Sequence, residues 1–205
     1  MTPAITLAIT GASGSAYSIR LLEQLLISGQ TVNLLISKAG QIVLGMETSL
    51  ALSSKPATIQ QQLSEHYQLS DPSKLRVYGR DQWTAPIASG SGISRAMVVC
   101  PCTAGTLASI ANGQSKDLLE RAADVTIKEQ KKLILVVRET PLSAIHLEHM
   151  LKLARLGVLI MPANPGFYLG VEKVSDLVDF IVARILDHLD IEHNLTARWG
   201  IDKYS

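Results

Sequence analysis

Residues 5–26 read ITLAITGASGSAYSIRLLEQLL, and this stretch predicts how the fold begins. Its first five residues are an apolar run that is typical of a buried strand. A turn of small residues, TGASGS at 10–15, follows, and isoleucine and leucine then recur every three or four positions, which predicts an amphipathic helix. A strand, a tight glycine loop and a helix in this order can bind a phosphate, because backbone N–H groups approach the anion and the helix N-terminus carries a partial positive charge.

The loop at 10–15 matches neither of the two familiar phosphate-binding motifs. Its glycines are spaced as G-x-x-G, whereas the dinucleotide fingerprint is G-x-G-x-x-G, and it lacks the Gly-Lys-Ser/Thr of a Walker A loop. Two interpretations therefore stay open at this point. The loop is either a phosphate-binding loop or a plain turn between a strand and a helix.

The alternation of strands and helices continues along the chain. Further apolar runs predict strands at 31–36, 75–78, 96–100, 133–137 and 158–161. Helical spacing predicts helices near 39–46, 58–67, 104–111, 118–130, 143–156 and 174–189. Residues 48–95 otherwise read as irregular. Because the predicted strands are almost continuous runs of Val, Ile and Leu, we expect an α/β fold with a parallel sheet that helices cover on both faces.

Composition limits the class of protein. The chain has 205 residues, 47% of them hydrophobic, which is enough for one core and a single domain over residues 1–205. A net charge of +1 gives no broad electrostatic reason to expect nucleic acid or an anionic membrane as a partner. The two cysteines form no disulfide framework, and no signal peptide or 18-residue apolar span appears, so we expect a cytoplasmic protein.

Ligands of parallel α/β sheets bind beyond the carboxyl ends of the strands. The loops expected there are residues 11–15, Ser37, 102–105, 138–141 and 162–168. Four of these five are unusual in composition, which favours a ligand that carries a phosphate. Arg138 and Glu139 directly follow an apolar strand, where an arginine can bind a phosphate bidentately and a carboxylate can move a proton.

Three further cations are candidates for phosphate binding. Arg121 and Lys128 lie seven residues apart on one predicted helix and so share a face, where they either hold an oxyanion or form solvated ion pairs. Arg184 lies at the border of the apolar stripe of the last helix, and it either reaches a pocket or extends into solvent. The spacing of His146 and His149 is not that of the H-E-x-x-H motif, so we predict no metal site.

An ordered set of short motifs resembles the UbiX/Pad-type flavin prenyltransferases, a family also described as 3-polyprenyl-4-hydroxybenzoate carboxy-lyases. The motifs are TGASG at 10–14, ISKA at 36–39, SGS at 89–91, PC at 101–102, ERAADV at 120–125, LKLARLG at 151–157, PGFY at 165–168 and RWG at 198–200. The resemblance implies a Rossmann-like three-layer fold and a metal-independent transferase. Such an enzyme joins the dimethylallyl group of dimethylallyl monophosphate to N5 and C6 of reduced FMN.

The resemblance also implies partners. Prenylated FMN, the product, serves a UbiD-type decarboxylase in ubiquinone biosynthesis or in aromatic acid decarboxylation. The subunits are expected to form a homo-oligomer, a dodecamer in similar members. The tail, residues 190–205, lies beyond the last predicted core helix, and we expect it at a subunit interface.

Site residues follow from the motifs that they match. The residues that correspond to FMN contacts are Gly11, Ala12, Ser13, Ser37, Cys102, Thr103, Ala104, Gly105 and Arg138. Those that correspond to contacts with dimethylallyl phosphate are Ser89, Gly90, Arg121, Lys128, Arg138, Glu139, Tyr168 and Arg184. The expected catalytic residues are Glu47, Lys128, Glu139 and Trp199. Of these, the two glutamates match acidic groups near the flavin, and the tryptophan matches the aromatic wall of the prenyl site.

Elementary chemistry agrees with these roles. When an allylic C–O bond breaks it leaves a cation and a phosphate dianion, which an indole face and Arg or Lys donors respectively stabilise. Two other functions stay open. An FMN-dependent decarboxylase would need an activated histidine in the pocket, and none of the five histidines lies in a predicted strand-end loop. A non-catalytic flavin carrier would bind FMN without needing the set of cations.

Overall fold

The computed structural model describes residues 4–168 and 170–197, which contain six strands and seven helices. The strands are β1 Ile5–Ile9, β2 Val32–Ile36, β3 Leu75–Tyr78, β4 Ala96–Cys102, β5 Lys132–Val137 and β6 Leu159–Pro162. The helices are α1 Ser15–Ile27, α2 Lys38–Glu47, α3 Pro56–His66, α4 Ala104–Ala111, α5 Leu118–Lys128, α6 Ala144–Arg155 and α7 Val174–His188. The predicted strands and helices are all present. Among these helices, none has the length and apolarity that a transmembrane span needs.

The strands pair in parallel and form one sheet in the order β3-β2-β1-β4-β5-β6. The chain moves outward from β1 to β3, returns to the other side of β1, and then moves outward again to β6. The order therefore reverses between β1 and β4, and parallel sheets form a ligand-binding crevice at such a point, outside the carboxyl ends of the strands. The predicted Rossmann-like α/β fold is confirmed.

Helices cover both faces of the sheet, as predicted. One hydrophobic cluster lies between the sheet and helices α1, α2, α3 and α7, and the other lies between the sheet and helices α4, α5 and α6. Neighbouring residues of β1 alternate between them, since Leu7 belongs to the first cluster and Ala8 to the second. Every residue of β1 and β2 is buried. This double burial explains why the strands read as continuous apolar runs rather than as alternating ones.

Strand β4 extends two residues beyond its predicted end at Cys100. The prediction stopped there because Pro101 has no N–H group, and proline is rare inside a central strand. In the structure the pairing of β4 with β5 shifts register between Val99 and Cys102. This irregularity lets the strand continue through the proline.

The region from 48 to 95 contains the predicted helix and strand, and part of the remainder, which reads as irregular in sequence, is also ordered into short turns. Helix α3 begins at Pro56, because proline at the first helical position loses no hydrogen bond that the helix would otherwise make. The small-residue loop ahead of β4 forms two short 3-10 turns, Pro86–Ala88 and Gly90–Gly92.

The turn that starts α1 requires a glycine. Gly14 precedes the helix with a φ of 125°, a conformation that residues with a side chain rarely adopt. A Cβ at this position would also stand 2.9 Å from Cδ2 of Tyr17. Both effects exclude a side chain at the point where the glycine loop becomes a helix.

Glu47, the last residue of α2, caps the N-terminus of α1. Its Oε2 accepts hydrogen bonds from the N–H groups of Gly14 at 2.9 Å and Ser15 at 2.8 Å. The glycine has no side chain to cap the helix, so a distant carboxylate takes that role. Burial raises the pKa of Glu47, but hydrogen bonds from the Ser13 side chain and from the two backbone amides outweigh burial and lower it to about 2. Glu47 is therefore an anion across the physiological pH range.

We expect Gly14→Ala to lower the free energy of unfolding by about 1–3 kcal/mol, because the added methyl group strains the backbone. Gly45→Ala is the matched control. A Cβ on Gly45, inside α2, would meet no atom within 4 Å, and alanine is favoured over glycine in a helix by about 1 kcal/mol. Urea unfolding of the two variants measures the difference. Equal stabilities would contradict the requirement for glycine at position 14.

The cap on α1 predicts a pH-dependent stability difference between the wild type and Glu47→Gln, which keeps an oxygen acceptor but has no charge. Because folding lowers the pKa of Glu47 from 4.5 to about 2, its charge stabilises the fold above pH 4.5, and this contribution is lost as the pH falls toward 2. At pH 7 we expect a difference of about 1 kcal/mol or less, since solvent screens an exposed group. Unfolding curves at several pH values test this, and a difference that does not change with pH would contradict it.

Candidate active site

The carboxyl ends of β1 and β4 are joined by one hydroxyl group. Thr10, which directly follows β1 and is buried, donates a hydrogen bond from Oγ1 to the Pro101 carbonyl at 2.6 Å. The same oxygen accepts a hydrogen bond from the Thr103 N–H at 3.0 Å. The hydroxyl therefore holds the glycine loop beside the start of α4, at the place where the strand order reverses.

Arg138 brings the end of β5 to the same place. Its backbone N–H donates to the Cys102 carbonyl at 3.3 Å, and its Nε donates to the Ser13 carbonyl at 3.2 Å. The structure thus brings together predicted FMN-binding residues from the glycine loop, from segment 102–105 and from the end of β5. Their contacts with a flavin stay a prediction.

The glycine loop also packs against the beginning of α2. A Cβ on Gly11 would overlap the Cβ of Ala39, so this close approach requires glycine. The Ser37 N–H donates to the Ile9 carbonyl at 2.9 Å, and Ser37 Oγ caps α2 by accepting from the Gly40 N–H at 3.0 Å. Ser37 therefore lies at the same edge of the sheet. We call the glycine loop, Ser37, segment 102–105 and Arg138 the carboxyl-edge group.

Two helix N-termini in the carboxyl-edge group have backbone N–H groups from which no protein atom of the described residues accepts a hydrogen bond. Helices α2 and α4 begin at the carboxyl ends of β2 and β4, on either side of β1. The hydroxyls of Ser37 and Thr103 each cap one amide. Within the described ranges no protein acceptor binds the N–H groups of the first two residues of each helix, Lys38, Ala39, Ala104 and Gly105. Free amides and the positive ends of two helices fit the phosphate group of FMN.

The side chain of Cys102 faces the core and not this edge. Cys102 and Cys100 are both fully buried and unpaired. Burial raises the pKa of the Cys102 thiol to about 12 and raises that of Cys100 as well, so both are neutral. Of Cys102, therefore, only the backbone can contact a ligand. The FMN contact that its motif predicts is limited to those backbone atoms.

A second group contains four of the predicted substrate-binding residues, Ser89, Gly90, Arg121 and Lys128. The Nε of Arg121 donates to the Ala88 carbonyl at 3.1 Å, which joins α5 to the two 3-10 turns. A Cβ on Gly90 would overlap the carboxylate of Glu129, and this carboxylate also pairs with Lys128. The structure therefore places these four residues around one surface, which we call the amino-edge group.

Both cations of the amino-edge group have an acidic neighbour. Arg121 Nη1 lies 2.9 Å from Asp124 Oδ2, and Lys128 pairs with Glu129. These are the solvated ion pairs that the sequence offered as the alternative to an oxyanion site. Because such exposed pairs stabilise a protein by only about 0–1 kcal/mol, a phosphate can replace the carboxylates at little cost. The pairs are thus compatible with either interpretation.

Lys128 and Arg138 lie at opposite edges of the sheet. Helix α5 crosses the sheet and ends at Lys128, just before β5 begins, whereas Arg138 directly follows the end of β5. At about 3.3 Å per residue, β5 spans roughly 20 Å. A single chain therefore does not place Lys128 and Arg138 on the same phosphate.

Tyr168 and Arg184 both lie along helix α7, the first packed against it and the second part of it. The rings of Tyr168 and Phe180 pack edge to face with their centroids 6.0 Å apart. Arg184 lies one turn after Phe180, so the two residues share a helix face. Arg184 is half exposed, and its Nη1 lies 2.7 Å from Asp187 Oδ2. Residues that are far apart in sequence are thus brought to one surface.

The predicted catalytic residues occupy different places. Glu47 caps α1 beside the glycine loop, while Glu139 follows Arg138 and is exposed, its Oε1 accepting from the Thr140 N–H at 3.1 Å. Trp199 lies outside the described residues. In the part of the chain that the structure describes, no group of three or more His, Cys, Asp or Glu side chains is arranged to hold a metal ion.

Sequence reasoning missed Thr10, which orients the two central loops. Its signal is weak but present, because a threonine directly after a buried strand and before a glycine is placed to hydrogen-bond the neighbouring strand end. The pairing of its hydroxyl with residues more than ninety positions away is visible only in the fold.

Known proteins similar to this chain extend over most of its length. The Flavoprotein family model matches residues 2–186. The flavin prenyltransferase UbiX of Pseudomonas aeruginosa is 52% identical over 196 residues, which cover 96% of this chain and 93% of that protein.

Two solved structures share the fold. AnUbiX (PadA1), in complex with FMN and dimethylallyl pyrophosphate, is 36% identical with a TM-score of 0.85, and the match covers 98% of each chain. A dodecameric FMN-dependent UbiX-like decarboxylase from Escherichia coli is 36% identical with a TM-score of 0.84, and the match covers 96% of this chain and 99% of that one. By sequence and by fold, the chain belongs to the Flavoprotein family, among the UbiX-type flavin prenyltransferases.

Proposed function

We propose that the protein is a flavin prenyltransferase, which joins the dimethylallyl group of dimethylallyl monophosphate to N5 and C6 of reduced FMN. The observation that carries this proposal is that the chain has two separate surfaces with groups suited to an anion, the free helix amides of the carboxyl-edge group and the cations of the amino-edge group. A chain that only bound FMN would need the first of them alone. The relative with 52% identity is a flavin prenyltransferase, which supports the same conclusion.

The carboxyl-edge group holds FMN in this proposal. The free N–H groups at the starts of α2 and α4 bind its phosphate, and Arg138, fixed against the Ser13 carbonyl, contacts both ligands. When bound, reduced FMN supplies the nucleophilic atoms that accept the prenyl group. Glu47 keeps its charge on the α1 amides and does not exchange protons near neutral pH. That leaves the carboxylate of Glu139, which follows Arg138, as the group that moves a proton.

The amino-edge group, together with Tyr168 and Arg184, holds the phosphate of the prenyl donor. As the C–O bond of the donor breaks, negative charge accumulates on the departing phosphate. Arg121 and Lys128 stabilise that charge more strongly in the transition state than in the bound donor, and this difference accelerates the reaction. The phosphate and diphosphate forms of the donor present the same kind of anion, and the neighbouring AnUbiX structure contains the diphosphate.

A complete site needs more than one copy of the chain. Since about 20 Å of strand separates Lys128 from Arg138, the Lys128 of one subunit must meet the carboxyl-edge group of another. The exposed apolar side chains of Ile42 and Met46 on α2, and of Leu147 and Leu151 on α6, supply surfaces for such contacts. We therefore propose a homo-oligomer, like the dodecameric neighbour from Escherichia coli, with the tail 190–205 and its Trp199 at a subunit interface.

The proposed product is a modified flavin that another enzyme uses. By its resemblance to the UbiX/Pad family, the chain serves a UbiD-type decarboxylase in ubiquinone biosynthesis or in aromatic acid decarboxylation. We place this activity in the cytoplasm, because the two cysteines are unpaired, as is usual in a reducing compartment.

The decisive experiment is an anaerobic incubation of the protein with reduced FMN and dimethylallyl monophosphate, with the diphosphate in a parallel reaction. Mass spectrometry of the extracted flavin is expected to show an increase of one isoprene unit. Flavin that stays bound but unchanged with both donors would instead indicate a carrier. Release of carbon dioxide from a carboxylic acid substrate, without prenylation, would indicate the decarboxylase activity that the name of the Escherichia coli structure suggests.

Lys128→Ala tests the amino-edge group, because this residue lies far from the carboxyl-edge group that is proposed to hold FMN. Removing one preorganised electrostatic donor slows a reaction by about 100-fold or more, so we expect that loss in single-turnover prenylation together with normal FMN binding. Lys131→Ala is the matched control from the same charged run and should keep the wild-type rate. A near-normal rate for Lys128→Ala would contradict this role and indicate that Lys128 forms only a solvated ion pair.

Mixing two inactive variants tests whether the site lies between subunits. Arg138→Ala and Lys128→Ala chains with different tags are coexpressed, and oligomers that contain both are purified. If each site takes the two residues from different copies, random assembly restores both in about a quarter of the sites, and activity rises to that level. Mixed oligomers no more active than either variant alone would show that one chain supplies the whole site.

A further inference from the structure

We propose that Asp187 is a positioning residue for the prenyl donor. It orients Arg184 toward the donor phosphate, and it is itself held in place by His193 from the C-terminal tail. This inference rests on the proposed function, from which the role of Arg184 in donor binding comes. It adds two residues that no motif of the sequence indicates.

Asp187 divides its carboxylate between two partners. Its Oδ2 accepts a hydrogen bond from Arg184 Nη1 at 2.7 Å, and its Oδ1 lies 3.2 Å from Nε2 of His193. The Leu195 N–H donates to Nδ1 of His193 at 3.4 Å, so Nδ1 is an acceptor and carries no hydrogen. The imidazole hydrogen is therefore on Nε2, where it points to Asp187. The backbone of the tail thus determines the tautomer that holds the carboxylate.

Burial increases from the arginine to the histidine. The side chains of Arg184, Asp187 and His193 are 52%, 35% and 5% exposed. His193 is therefore inside the protein, where few other side-chain rotamers fit, while Arg184 is at the surface. An arginine that binding must immobilise loses rotamer freedom, and this loss weakens the binding of the ligand. Asp187 reduces that loss by restricting Arg184 before the donor arrives.

The third partner distinguishes this arrangement from an ordinary surface ion pair. Arg184 and Asp187 alone, three residues apart on a helix, would form only a weak surface ion pair. His193, in contrast, lies beyond the end of α7, where the chain has turned through Asp190 with a φ of 56°. The tail therefore reaches back to the helix and fixes the carboxylate from a second direction.

Helix α7 holds the other predicted donor-binding residue of this surface as well. Tyr168 packs on Phe180, one turn before Arg184. The helix thus orients the tyrosine through an aromatic contact and the arginine through a carboxylate. Trp199, the predicted wall of the prenyl site, follows His193 by six residues in sequence. Asp187 consequently links His193, in the tail that leads to Trp199, with Arg184, the proposed phosphate ligand.

The test measures the affinity for dimethylallyl monophosphate by calorimetric titration of the FMN-loaded protein, and measures kcat and KM in parallel. We expect Asp187→Asn and His193→Ala to weaken donor binding about three- to tenfold and to leave FMN affinity unchanged. His193→Gln should retain most of the wild-type affinity, because its amide can replace the Nε2 donor. If Asp187→Asn does not fold, the comparison of His193→Ala with His193→Gln still decides.

A double variant distinguishes the positioning of Arg184 by Asp187 from a general effect on the structure. In Arg184→Ala, the Asp187→Asn change should cause no further loss of donor affinity, because the residue through which it acts is gone. Asp179→Asn is the matched control. Asp179 also lies on α7, and its carboxylate pairs with Arg20 of α1 at 2.6 Å. Breaking this pair should lower the unfolding temperature without changing donor affinity.

Three results would overturn the proposal: unchanged donor affinity in Asp187→Asn, an equal loss in the Arg184→Ala background, or the same loss in Asp179→Asn. A wild type that binds the donor but forms no prenylated flavin would refute the proposed function alone, since binding would still report on Asp187. A wild type that does not bind the donor would refute both.

Discussion

The crevice of this protein depends on the hydrogen bonds of a single threonine hydroxyl. The parallel pairing of β1 with β4 ends at Ala8 and Val99, although β4 continues to Cys102. Beyond that pair no backbone ladder joins the two strands, and the helices that follow them lie on opposite faces of the sheet. The Thr10 side chain replaces the missing ladder with one donated and one accepted hydrogen bond. The Pro101 carbonyl is buried, so losing the hydroxyl would leave it unpaired at a cost of about 1–3 kcal/mol.

The electrostatic potential of the crevice depends on which helix N-termini are already bound to a carboxylate of the protein. Three helices, α1, α2 and α4, begin at the carboxyl ends of the three central strands. Glu47 neutralises the first of them, so the positive ends that remain are those of α2 and α4, on either side of β1. An anion that enters is therefore directed to the reversal point and away from the glycine loop of α1. The loop that looks most like a phosphate site in sequence has the least free charge.

Sequence reasoning predicted the elements well, because buried strands and amphipathic helices leave a local pattern. It did not predict features that depend on contacts between residues far apart in the sequence or on the pairing register of two strands. The extension of β4 through Pro101 depends on a register shift with β5, and the capture of the α1 amides depends on a carboxylate 33 residues away. The helical spacing of Arg121 and Lys128 correctly put them on one helix, but the position of that helix relative to Arg138 required the order of the strands. The proposed role of Trp199 stays a prediction from its motif.

The burial of Cys100 and Cys102 has a chemical consequence if the protein binds reduced flavin, as proposed. Reduced flavins react with molecular oxygen and release hydrogen peroxide, which attacks thiolates and not neutral thiols. Both cysteines are fully buried near the carboxyl end of β4, and burial raises the pKa of the Cys102 thiol to about 12. They are therefore protected from that oxidant. With the proposed flavin bound, the two thiols near the crevice would thus be in the buried, neutral form that resists oxidation.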